Sequence, residues 1–163
     1  MEAVLKIEGG TVVGVIGHEH FDTVVVPSGV QKIGAQAFAN RVGCTSVTLP
    51  NTVISIEYNA FFNCIGLTSL TLPDSLTHID ANAFDCCTGL TSVTLPESVT
   101  NICGSAFCGC TGLTSLTLPS TLKNISTGAF TDCGLTSLTL PDTITHVGAW
   151  AFNNCKSITS RNL

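Results

Sequence analysis

The sequence predicts a strand-rich α/β repeat solenoid, in which each coil holds one strand and, opposite it, one short helical turn. Three markers in step predict it. A proline closes an apolar run at Pro27, Pro50, Pro73, Pro96, Pro119 and Pro141, in steps of 23, 23, 23, 23 and 22 residues. An Ala-Phe pair keeps the same interval at Ala37-Phe38, Ala60-Phe61, Ala83-Phe84, Ala106-Phe107, Ala129-Phe130 and Ala151-Phe152. A cysteine follows three residues after the phenylalanine at Cys64, Cys87, Cys110, Cys133 and Cys155. A period of this length denotes units that cannot bury their own apolar side alone and must stack on their neighbours.

The elements follow in chain order. Residues 4–8 and 11–16 flank Gly9-Gly10, a hairpin signal, so residues 1–22 are expected to cap the first coil. Residues 23–157 hold about six repeats. In the unit Leu67–Gly89, Leu70 and Leu72 alternate with Ser69 and Thr71, a period of two that denotes a strand with one face inward. Pro73 ends the strand because it has no N–H to continue a ladder, and Asp74-Ser75 supply turn chemistry. Leu76 and Ile79 point inward across a second extended or turn segment. Asp80 is placed to cap a helical turn, on which Ala83 and Cys87 share a face at i, i+4. Stacking puts Leu70 above Val47 and below Val93, Leu116 and Leu138, in one parallel sheet with strands ~4.8 Å apart. The six phenylalanines form a ladder. Residues 158–163 are expected to begin a further short strand, with Arg161 where the preceding copy has Leu138.

Composition narrows the function. Only 10% of residues are charged, while 23 threonines and 14 serines make the surface hydroxyl-rich. A net charge of -5 with six basic residues leaves no basic stripe to neutralise phosphates, which excludes nucleic acid as the expected partner. No apolar run approaches the ~20 residues that span a bilayer, so no membrane insertion is expected. Met1-Glu2-Ala3-Val4-Leu5-Lys6-Ile7-Glu8 lacks the pattern of a signal peptide, and the sequon Asn124-Ile125-Ser126 is a single chance-level match in a Ser/Thr-rich chain.

The nine cysteines invite a metal or redox reading. The five repeated ones read as a ladder of buried free thiols acting as small apolar groups. Cys44, Cys86, Cys103 and Cys108 remain. Cys86 and Cys108 fall one position apart on adjacent coils and are the pair best placed for a disulfide. Cys108-Gly109-Cys110 has no partner pair for zinc. His18-Glu19-His20 offers two imidazoles on one side but no third ligand, and Asp74, Glu97 and Asp142 read as turn formers rather than a calcium ridge. His78 and His146 stand three coils apart. Like residues fall in rows and do not converge as nucleophile, base and orienter, so no enzyme, cofactor or metal is expected.

The pattern L-x-x-L-x-L-P-x-x-L-x-x-I-x-x-x-A-F-x-x-C, running from about Phe21 to Ser160, resembles the BspA-like class of leucine-rich repeats. That resemblance implies a curved, right-handed leucine-rich-repeat solenoid with its parallel β-sheet on the concave face and short helical turns opposite. It also implies a surface or secreted setting and a part in adhesion, whereas buried free thiols fit a reducing compartment. Repeat one departs from the pattern, with Arg41 in place of the cysteine and Cys44 in place of a leucine.

The partner-binding face expected from the pattern is the outward side of the sheet: Ser46 and Thr48, Ser69 and Thr71, Ser92 and Thr94, Ser115 and Thr117, Ser137 and Thr139. Threonine also suits any solvent-facing strand, and duplication alone makes it regular. The two large aromatic anchors, Tyr58 and Trp150, lie on the opposite side. Three readings follow: a noncatalytic module for a protein or glycan partner, a self-assembling homo-oligomer joined through the C-terminal edge, and recognition of ice by the Ser/Thr rows.

Overall fold

The computed structural model describes residues 3–17, 22–155 and 158. The His18-Glu19-His20 motif and nearly all of the expected C-terminal cap, Arg161 included, lie outside the described residues. Strands β1 (Val4–Glu8) and β2 (Thr11–Ile16) pair antiparallel about Gly9 and Gly10. Both glycines are left-handed, at φ 54° and 75°, as a two-residue hairpin turn demands.

Each of the first five coils then contributes two short strands rather than one, and the sixth contributes one. The first row comprises β3 (Thr23–Val25), β5 (Ser46–Thr48), β7 (Ser69–Thr71), β9 (Ser92–Thr94) and β11 (Ser115–Thr117). The second row comprises β4 (Lys32–Ile33), β6 (Ser55–Ile56), β8 (His78–Ile79), β10 (Asn101–Ile102), β12 (Asn124–Ile125) and β13 (His146–Val147). All the pairs within these rows are parallel, and Val47 faces Leu70 and Val93 faces Leu116 as the repeat requires. The hairpin extends the second row, β2 pairing with β4 through Thr11↔Lys32 and Val12↔Ile33.

The expected helical turns are absent; no helix occurs among the described residues. The third side of each coil is a run of tight turns instead. In coil one, Ala37, Ala39 and Arg41 donate N–H bonds to the carbonyls three residues back, at Gly34, Gln36 and Phe38. Gln36 and Asn40 carry φ 59° and 62°. A left-handed residue at the third position is the mark of a type II turn and stops helical propagation. The two left-handed columns are Gln36, Asn59, Asn82, Ser105, Gly128 and Trp150, and Asn40, Asn63, Cys86, Gly109, Asp132 and Asn154. Asp80 caps nothing helical; its Oδ1 accepts the N–H of its own neighbour Ala81 at 2.7 Å.

Between the three sides lies one apolar core. Phe38, Phe61, Phe84, Phe107 and Phe130 are completely buried, and the six rings stack at 4.9–5.5 Å between centroids. Beside them runs a sulfur ladder. Cys64, Cys87, Cys110, Cys133 and Cys155 each donate their thiol to the carbonyl of the phenylalanine one coil back, at 3.0–3.2 Å. Burial pushes the Cys64 thiol up to about 12, and raises the other four by the same cause. These are packing groups and not nucleophiles. Where repeat one lacks the cysteine, Arg41 Nη2 donates to the Val15 carbonyl at 2.6 Å and ties the hairpin to the stack.

The expected single continuous sheet is corrected in a second respect. The first row is bonded as β3-β5-β7 and, separately, β9-β11; the second as β1-β2-β4-β6-β8 and, separately, β10-β12-β13. Both ladders are therefore interrupted at one junction, between coils three and four. The turn side of that junction stays bonded. Asn82, Phe84 and Cys86 donate their N–H groups to Gly104, Ala106 and Cys108 at 3.1, 2.8 and 2.8 Å, and Phe84 stacks on Phe107 at 5.1 Å.

Candidate functional site

The short strands and their terminal prolines put the ten hydroxyls of the first row on one face. Nine are exposed and Ser46 is half-buried. The expected strand at residues 137–139 does not form, although Ser137 and Thr139 remain exposed and Leu138 buried. The last repeat step is one residue short, with nothing between Cys133 and Gly134 to match Thr111. The tightened corner pulls that segment off the ladder.

Hydroxyls divide into two populations. Those at the corners bridge coils: Thr68 donates to Thr45 O at 3.2 Å, Thr114 to Thr91 O at 3.3 Å, Ser75 to Val53 O at 2.6 Å and Thr143 to Leu122 O at 2.7 Å. Among the described residues, the ten sheet-face hydroxyls take no part in this bridging and face solvent. The face is not flat. A hollow of about 240 Å³ lies at the interrupted junction and brings Thr71, Ser92 and Thr94 together beside Asp74. A second, of about 310 Å³, gathers Thr117, Ser137 and Thr139 where the last coil leaves the ladder. Ser46, Thr48, Ser69 and Ser115 line neither hollow.

The second row carries a groove that sequence reasoning missed. It measures about 360 Å³ and is lined by Ser55, Glu57, Tyr58, His78, Asp80 and Asn101, among others. Tyr58 makes its wall. The other coils hold Ala35, Ala81, Gly104, Thr127 and Ala149 at this position, so one half-exposed ring stands above small neighbours. A single bulky residue in a column of small ones was the available signal. Lys32 lies 3.9 Å from Glu57 at the surface, an exposed pair that contributes little stability.

The remaining polar candidates have structural roles or stay apart. Glu97 accepts the hydroxyl and N–H of Ser120 at 2.8 and 3.2 Å, and these bonds hold its carboxyl below the usual range. It serves the ridge as a turn former. No three His, Cys, Asp or Glu among the described residues come together as metal ligands. No helix of the described residues is long and apolar enough to cross a membrane.

Trp150 is 73% exposed and sits at φ 58°. A bulky residue in that region is strained, whereas asparagine adopts it readily. Trp150→Asn is expected to raise stability by about 1 kcal/mol, read by chemical denaturation; a loss would show that the indole packs usefully on the last coil.

A stack of coils with leucine columns, proline-ended strands and a phenylalanine ladder defines a leucine-rich repeat protein. The chain belongs to the BspA type leucine-rich repeat family, whose model matches six copies over residues 17–110 and 77–163. Repeat proteins of this family are generally noncatalytic. None of the curated proteins compared matches the chain. Among solved structures it is similar to a leucine-rich repeat protein from Bacteroides ovatus, with 26% identity, a TM-score of 0.81, and coverage of 97% of this chain and 51% of that one. It is also similar to the T. pallidum leucine-rich repeat protein, at 25% identity and TM-score 0.79, covering 99% and 89% of the two chains. A leucine-rich cell surface protein from Faecalibacterium prausnitzii matches at 28% identity and TM-score 0.68, over 96% of this chain and 53% of that one. The chain thus spans about half the length of the first and third of these proteins.

Proposed function

We propose that the chain is a noncatalytic interaction module that holds a protein or glycan partner on the outer face of its first strand row. The observation that carries this reading is the division of the hydroxyls: the corner groups bond coil to coil, and the face groups are left to solvent in an uncharged array. Its two hollows offer places for protruding groups, as a flat face would not. Concavity of this face, which the resemblance implies, would add contact area. The cell surface description of the Faecalibacterium prausnitzii protein supports a surface setting, and the family resemblance supports a part in adhesion. The triple variant Thr71→Lys, Thr94→Lys and Thr117→Lys tests it. It is expected to fold normally and to lose binding by tenfold or more to whichever immobilised matrix protein or glycan the unmodified chain binds in a panel. Binding that survives unchanged moves the site to the Tyr58 groove or the turn side.

A second reading, self-assembly through the C-terminal edge, is favoured by the last coil. Phe152 is only partly buried where the other five ladder phenylalanines are fully enclosed, and Val147 is 41% exposed where Ile125 is fully buried. The solution mass over a hundredfold concentration range decides it: growth with concentration supports end-joining, and a constant monomer removes it. Ice recognition is the weakest of the three, because the hollows interrupt the regular rows; an absence of thermal hysteresis would dispose of it.

A further inference from the structure

We propose that Cys86 and Cys108 form a thiol–disulfide modification site that staples coils three and four together. Three observations place it. The two residues are backbone neighbours across the junction, the Cys86 N–H donating to the Cys108 carbonyl at 2.8 Å. That contact sets their Cα atoms one residue out of register across the coil spacing, about 5–6 Å apart, inside the range a disulfide accepts. The Cys86 sulfur also leans toward the Cys108 coil. A Cβ built on Gly109, which stacks above Cys86 and follows Cys108 in the chain, would lie 3.1 Å from Cys86 Sγ. Finally, both thiols are partly exposed while the five ladder thiols are buried. A hollow of about 710 Å³ lined by Cys86, Gly109, Thr111 and Asp132 gives a reagent access to Cys86.

The junction gives the site its consequence. Neither strand row is hydrogen-bonded there, so the turn side where the cysteines sit, together with one corner bond from the Ser98 hydroxyl to the Leu76 carbonyl, joins two otherwise separately bonded blocks. The co-reactant is a low-molecular-weight disulfide. The thiolate of one cysteine attacks it, forming a mixed disulfide and expelling one thiol. The second thiolate attacks the protein sulfur of that mixed disulfide and expels the other thiol. Two protein thiols are oxidised and one reagent disulfide is reduced to two thiols. Burial and the Asp85 carboxylate beside Cys86 push its thiol up to about 11, and Cys108 is also raised. The exchange therefore accelerates with rising pH.

The test incubates the native chain with oxidised glutathione at pH 8 and maps the cysteines by mass spectrometry after acid quenching. The expected result is loss of two hydrogens per chain, a single Cys86–Cys108 linked peptide, and ladder cysteines that stay reduced. The oxidised form should melt on the order of 5–10 °C higher, reversibly on reduction. The Cys108→Ser variant should instead accumulate a glutathione adduct at Cys86. Separate adducts on both cysteines of the unmodified chain, links between chains, links to other cysteines, or no reaction at all would each overturn the proposal.

Discussion

Phe84→Ala is expected to destabilise the solenoid by about 3–5 kcal/mol, the range for emptying a buried phenylalanine site. The ring is fully buried and stacks at 5.2 Å on Phe61 and 5.1 Å on Phe107. Its removal therefore weakens two coil interfaces. One of them is the junction where neither strand row is bonded, so the variant should also lose cooperativity. Chemical denaturation should resolve two transitions, one for the hairpin with coils one to three and one for coils four to six. Phe152→Ala, at a partly exposed ring in the last coil, should cost about half as much. Equal losses at the two sites, or a single transition with an unshifted midpoint for Phe84→Ala, would contradict the described packing.

Gly112→Ala should be comparably harmful, at about 3 kcal/mol, for a different reason. Gly112 is not in the left-handed region; the obstacle is contact. A Cβ there would lie 2.3 Å from the Thr88 carbonyl and 3.0 Å from that of Leu90, both on the preceding coil. Backbone atoms cannot swing aside as a flexible side chain can, so the coils would have to part at this corner. Gly66, Gly89 and Gly134 face the same obstruction at 2.3–2.5 Å. Gly14→Ala, with nothing within 4 Å, is the control and should change stability by no more than about 0.5 kcal/mol. Thermal unfolding of the two variants separates the cases, and equal melting points would contradict the close approach.

The period, the inward columns and the Gly9-Gly10 hairpin were legible because each rests on a repeated apolar or turn-forming residue. The turns were misread as helical because Ala83 and Cys87 at i, i+4 satisfy a helical spacing as well as a pair of tight turns. The better guide lay in the outward positions. Asparagine, aspartate or glycine fills eight of the twelve left-handed positions, among them Asn59, Asn82, Gly109 and Asp132, and those residues tolerate what a helix interior would not require. The second strand row was legible only as an extended or turn segment, because each of its strands is two residues long, too short to show alternation. The exposed side of the first row was readable from Ser-x-Thr. The hollow between coils three and four was not, because it arises where bonding between coils lapses, and no single coil encodes that; the other had a signal in the shortened last step.

The uniform hydroxyl face has a consequence for any extended partner. Moving such a ligand by one coil, ~4.8 Å along the stack, presents it with the same serine and threonine again. Several registers are then nearly equal in energy, which favours sliding and broad tolerance over a single fixed pose. What breaks the degeneracy is whatever does not repeat: the lapse between coils three and four, the shortened corner after Cys133, and Tyr58 on the neighbouring side. These act as landmarks on an otherwise uniform track, and a partner that must stop at one address would have to read them.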